Sequence, residues 1–253
     1  MADIPQLLNL WKNLNKNGYD VRQMKEEKKL VRFDWAIKYL LRNKVNFVVL
    51  EGFLSELIGQ AILIEDILES ESGADAFDDK VSRVDLMAKL SDGERVLIEV
   101  QCSQQWNYLS RMLFGVSRTV IDTIKRGDGY DKTPRVIAVH VVYFDLGEGQ
   151  DYIYEGKIEF RGRHYHDLLK LAAREQEKYA ENIREVSDIF PNFYLIKVNR
   201  FNARINDKFD EWVYFLQNAA APARITAQGL SEASECLDIL KLSKDAKKAM
   251  NAF

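Results

Sequence analysis

The stretch from Arg83 to Gln101 constrains the fold of this 253-residue chain more than any other. Apolar residues alternate through Val84, Leu86, Ala88 and Leu90, and again through Val96, Ile98 and Val100. Side chains on a strand point to opposite faces in turn, so a period of two marks a strand with one buried face. Asp92-Gly93 between the two runs is a turn signal. A loop of Ser91, Asp92 and Gly93, with Gly93 left-handed, pairs Leu90 with Glu94 and keeps the even-numbered apolar residues on one face. A two-residue loop would shift the pairing by one and split that set between faces, which a sheet resists. The favoured register sets Asp85 opposite Glu99, and Gln101 shares the face of Glu99. Two carboxylates and an amide on one side of a hairpin form a candidate divalent-metal site.

Composition narrows the setting. An apolar fraction of 47% is enough for a real core, and 30% charged residues is ordinary for a soluble protein. The formal charge of −3 gives no global basic field, so a nucleic-acid partner would have to meet a local patch. Two cysteines far apart, Cys102 and Cys236, suit a reducing cytoplasm and no disulfide framework. No apolar run approaches the roughly 20 residues that span a bilayer, and the start has no charged-then-apolar export pattern. The expectation is a cytoplasmic protein without a membrane partner.

Along the chain, residues 1–32 read as a polar arm or short helix carrying a Lys/Glu run. Helical spacing begins near Trp35 and resumes from Phe47 to Leu68, where Gly59 allows Ile62 to Ile67 to be extended instead. Residues 69–80 read as a polar loop, a lid beside the site. The clearest helix covers 104–126, with Trp106, Leu109, Leu113, Val116, Val120 and Ile124 as its apolar stripe; Arg111, Arg118 and Lys125 lie opposite, spaced by seven. Arg126-Gly-Asp-Gly129 stops it. Arg135 to Phe144 reads as a buried central strand, Tyr152 to Tyr165 as a strand or hairpin, and His166 to Glu185 as a helix. Phe193 to Phe201 reads as a strand and Phe209 to Gln217 as an amphipathic helix. The remainder, 218–253, reads as a linker with a helical tail. The order helix, hairpin, helix, strand fits an α/β layer fold on a mixed sheet. His140, amid valines, reads as a core histidine, and His164 and His166 lack the further ligands a zinc site requires.

Asp85, then Glu99-Val-Gln101 ending the next strand, then a helix carrying Arg111, resembles the PD-(D/E)XK nuclease superfamily, and more narrowly its transposases and recombination-promoting nucleases. The likeness continues through Phe33-Asp-Trp-Ala-Ile-Lys38, Leu50-Glu-Gly-Phe-Leu-Ser55, Asp78-Asp-Lys80, Arg111 to Ser117, Val136 to Phe144, and Asp210-Glu-Trp212, about residues 33–217 in all. It implies a restriction-endonuclease-like core, a mixed sheet flanked by helices, with a helical C-terminal appendage.

It also implies Mg²⁺-dependent cleavage of DNA, with Mn²⁺ as a substitute, in transposition or recombination. Asp85 and Glu99 would hold the metal, joined by the carbonyl of Val100; hard oxygen donors plus water suit Mg²⁺. Gln101 occupies the position where the superfamily carries lysine, so it offers hydrogen bonds but neither charge nor base. Glu51, or Glu56, is a candidate for an additional acidic residue on the preceding helix. Arg111, Arg118, Lys80 and Arg83 are candidates for phosphate contacts. A catalytically inert DNA-binding protein that keeps the fold is the alternative, and monomer and homodimer both remain open.

Overall fold

The computed structural model describes residues 37–41, 47–68, 85–179, 183 and 185–242. The expected arm over 1–32, the lid over 69–80, and Lys80 and Arg83 lie outside the described residues. Among the described residues no helix is long and apolar enough to cross a membrane.

Helix α1 spans Val48–Ile58 and stops at Gly59, whose φ of 77° is left-handed and whose N–H donates to the Ser55 carbonyl. The chain then turns extended, as the glycine allowed, into β1 (Ile64–Leu68). The hairpin follows as β2 (Leu86–Leu90) and β3 (Arg95–Gln101). Its register is the one parity favours: Leu86 faces Ile98 and Ala88 faces Val96. The amide of Leu90 donates to the Glu94 carbonyl, and Gly93 sits at φ 90°. Only a residue without Cβ takes that conformation cheaply, so the glycine sets the loop length and thereby the register.

Helix α2 (Tyr108–Thr123) crosses to β4 (Val136–Val142), which is buried along its whole length and pairs parallel with β3. Strands β5 (Ile153–Gly156) and β6 (Asn192–Lys197) complete a six-stranded sheet of order β1-β2-β3-β4-β6-β5. The first three strands are antiparallel, β3, β4 and β6 are parallel, and β5 closes the edge antiparallel. This is the mixed, helix-flanked α/β sheet of a restriction-endonuclease-like fold.

Two cores follow from the alternation. On one face, Ala88, Val96, Ile98, Val139 and Ile196 pack with α1, with α4 (Lys208–Asn218) and with α5 (Leu230–Leu242). On the other, Leu97 and Ala138 meet Val116 of α2, and Val142 meets its Tyr108 and Met112. The C-terminal helix is anchored through a close crossing. A Cβ on Gly52 would stand 2.2 Å from the Gln228 carbonyl oxygen, so α1 can approach the start of α5 only because it carries glycine there.

Three expectations are corrected. The stripe assigned as the buried face of α2 is largely its outer one: Trp106, Leu109 and Leu113 are exposed, while Tyr108, Met112, Gly115, Val116 and Thr119 are buried. The helix expected over His166 to Glu185 shrinks to α3, the four residues Ala173–Gln176. Its would-be apolar residues Leu168 and Leu169 face solvent, and a helix without a packed face is marginal in water. The strand or hairpin expected over Tyr152 to Tyr165 is the single strand β5 ending at Gly156, beyond which an isolated bridge joins Arg161 to Leu168.

Candidate active site

Glu99 lies near the C-terminal end of β3, on the α2 face of the sheet, and is only 5% exposed. Asp85 immediately precedes β2. Continuing the register by one residue sets it opposite Glu99, at a position where the antiparallel ladder makes no hydrogen bond and brings side chains closest. The carboxylate of Asp85 accepts the Val100 amide at 2.7 Å. That backbone donor faces β2, and on a strand the carbonyl of the same residue opens to the same side. Val100 therefore opens its carbonyl to the β2 side of β3, the side on which Asp85 lies.

Each carboxylate has a cation of its own. Lys38 Nζ stands 3.1 Å from Asp85 Oδ1, reaching it from residues 37–41, whose Ile37, Leu40 and Leu41 belong to the opposite core. Arg111, in the first turn of α2, sets its guanidinium 2.5 Å from Glu99 Oε1 and donates to Gln105. The contact with Glu99 is a close ion pair to a buried carboxylate oxygen.

Below Glu99 lies a buried aromatic floor. Nδ1 of His140, on β4 directly beside Glu99, is 3.5 Å from Glu99 Oε2 and 3.3 Å from the Tyr108 hydroxyl. His140 is fully buried and its Nε2 meets no partner. Burial pushes the Glu99 carboxyl up, but His140 and Arg111 together outweigh it and hold the group below its ordinary value. Burial and then the charge of Glu99 drive the Tyr108 phenol well above its usual range, so it stays neutral. Asp85, Glu99 and Arg111 all act on that phenol, which marks them as one electrostatic neighbourhood.

The remaining candidates separate. Gln101 turns into the following loop, its amide donating to the carbonyl and hydroxyl of Ser103, each at 3.1 Å. Glu51 accepts the Ile64 amide at 2.9 Å and so fastens α1 to β1; among the described residues it has no hydrogen bond or ion pair to Asp85 or Glu99. Glu56 faces the other helices, accepting the Gln228 amide with Lys208 nearby. Arg118 pairs with Asp122 on the exposed side of α2. Lys38, Tyr108 and His140 were not singled out for the site by sequence. The signal available for His140 was its standing as the one polar residue in a run of apolar ones.

Comparison with protein families decides what frame this arrangement belongs to. The family described as PD-(D/E)XK nuclease family transposase matches residues 31–252. The chain belongs to that family. The match extends beyond residue 217 to take in α5, whose Leu230, Ala233 and Leu237 sit in the first core. Comparisons with curated proteins and with solved structures returned no match.

Nucleases of this family generally use divalent metals. The donor set fits such an ion: two carboxylates and a backbone carbonyl, all hard oxygens. Among the described residues no third His, Cys, Asp or Glu joins them, so water and substrate would complete the coordination. Mg²⁺ is commonly held this way, by one or two carboxylates with the phosphate it serves.

Proposed function

We propose that this chain is a metal-dependent endodeoxyribonuclease that cleaves DNA phosphodiester bonds in transposition or recombination, working in the cytoplasm. The observation that carries the proposal is the Asp85 and Glu99 pair on adjacent strands, each matched by a cation from a helix. Asp85, Glu99 and the Val100 carbonyl would hold Mg²⁺, or Mn²⁺ in its place. The ion would activate a water and offset charge developing on the phosphate. Arg111, partly exposed at the mouth of the site, exchanges its contact with Glu99 for a phosphate oxygen as DNA enters. Lys38 does the same from the Asp85 side. His140 and Tyr108 keep Glu99 oriented and ionised without leaving the core. Arg118, with Lys80 and Arg83, extends the phosphate-contacting surface.

Nicking of supercoiled plasmid in Mg²⁺ tests this, with Asp85→Ala and Glu99→Ala beside the wild type. Both variants should lose cleavage, and variants that cut as well as the parent refute the assignment. One observation favours a second reading, an inert DNA-binding protein that keeps the fold: Gln101 is occupied by Ser103 rather than by the carboxylates. Calorimetric titration with Mn²⁺ separates the two, because an inert site would take up no ion.

A further inference from the structure

The outer face of α2 is unlike that of a solvated helix. A helix with one face on a core normally turns charged residues outward. Here Arg118 and Asp122 pair along one flank, but the exposed positions 109, 110, 113, 114, 117 and 121 carry no charge, and half-buried Val120 beside them is apolar. Leu109 is 58% exposed, Leu113 62%, Phe114 50% and Ile121 68%, and Trp106, just before the helix, is 93% exposed. A large side chain offers roughly 150–250 Å² when fully exposed, so these five leave on the order of 650 Å² of apolar surface in one strip. That is above what most monomers leave open, and it approaches the roughly 800 Å² that each partner brings to a standard interface.

The relief of the strip indicates what covers it. Ser110 and Ser117 are two turns apart and form a shallow channel, with Leu109, Leu113 and Val120 along one side and Phe114 and Ile121 along the other. An antiparallel second copy, related by a two-fold axis at the level of Gly115, sets residues whose numbers sum to 230 across from each other. Leu113 then meets the channel at Ser117, and Val120 meets it at Ser110. Leu109 faces Ile121, and Trp106 faces Ile124. Large side chains oppose small ones at the centre and apolar ones at the ends, with no charge buried. Such self-complementarity is what an isologous contact requires.

We infer that α2 is the homodimer interface of this protein, two copies packing antiparallel through Leu109, Leu113, Phe114 and Ile121. Arg111 lies on a different side of the same helix, turned to Glu99, so dimerisation leaves the candidate active site open. It also fixes the distance between two such sites.

The test uses the full chain. Sedimentation at micromolar concentration should give twice the chain mass. Leu113→Lys with Ile121→Lys should raise the dimer dissociation constant by at least about 100-fold while leaving the circular dichroism spectrum and melting profile of a folded protein. A photoreactive benzophenone amino acid in place of Phe114 should crosslink to α2 peptides of a second copy. A monomeric wild type overturns the inference. So does a double-lysine variant that still dimerises, and so does a crosslink that stays within one chain, for instance to residues 1–36.

Discussion

Arg111→Met isolates the ion pair at the centre of the site. Methionine keeps most of the arginine stem's volume and removes the charge. It leaves Glu99, 5% exposed, with His140 as its remaining charge-stabilising partner. Removing one member of a buried pair costs about 3–5 kcal/mol when the other is stranded. Arg111 is itself 31% exposed, so water can enter where the guanidinium was, and the loss should fall nearer 2–3 kcal/mol. The pH dependence gives a sharper signature. Arg111 helps hold the Glu99 carboxyl below its ordinary value of 4.5. A depressed carboxyl contributes stability that is present above its unfolded value and lost as pH falls through its folded one. The gap between wild type and Arg111→Met should therefore be full at pH 7 and shrink as pH falls through the depressed wild-type value of Glu99, below which the carboxyl is neutral in both proteins. Urea unfolding at a series of pH values measures it, at one protein concentration. Glu99→Gln as the second arm of a double-mutant cycle should remove most of the arginine's effect. A gap that does not change with pH, or one that survives intact in the Glu99→Gln background, refutes the coupling.

Gly52→Ala should lower stability by about 1–3 kcal/mol, since the new methyl would meet the Gln228 carbonyl and backbone cannot step aside cheaply; an unchanged melting temperature would mean that the crossing is looser than described. Glu211→Ala should cost about 1.5–3 kcal/mol, because one oxygen of Glu211 accepts both the Thr226 amide at 2.7 Å and the Ala227 amide at 2.9 Å, and truncation leaves both donors without that acceptor. Faster trypsin cleavage at Arg224 would report the same loosening. Gln101→Lys should keep or raise Mg²⁺-dependent plasmid cleavage, whereas complete loss would show that the bonds to Ser103 organise the site.

Much of the fold was legible because strand parity is unforgiving. One slip would have buried Asp85 and exposed Leu86, so the register of β2 and β3 followed from the alternation and from Gly93. The buried run of β4 was equally plain. The outer face of α2 was misread for a physical reason: helical periodicity gives a period, and a helix apolar on two sides does not say which side meets the sheet. The helix expected after His166 shortens to four residues because local propensity without a surface to pack on leaves a helix marginal in water. Asp210-Glu-Trp212 was visible as a signature, but its work was not. Asp210 accepts the amides of Asn206 and Asp207 in a capping box with the N-cap Asp207 and also accepts the Tyr152 hydroxyl, Glu211 holds the 226–227 amides, and Trp212 fills the core between Phe53 and Phe215.

The site divides the same way. The acids came from hairpin geometry, which is local; their partners come from 47 residues before Asp85 and from the next helix and strand after Glu99. No spacing rule connects Lys38 to Asp85, so only the folded chain could join them. That contact changes the weight of Gln101. In the described site two carboxylates already face two cations, and the four side chains sum to zero formal charge. Under the proposed function, a divalent ion would take over the two cations' hold on the carboxylates and free Lys38 and Arg111 for phosphate. The residue that departs from the superfamily pattern thus leaves positive charge in the site, carried by helices instead of by the strand.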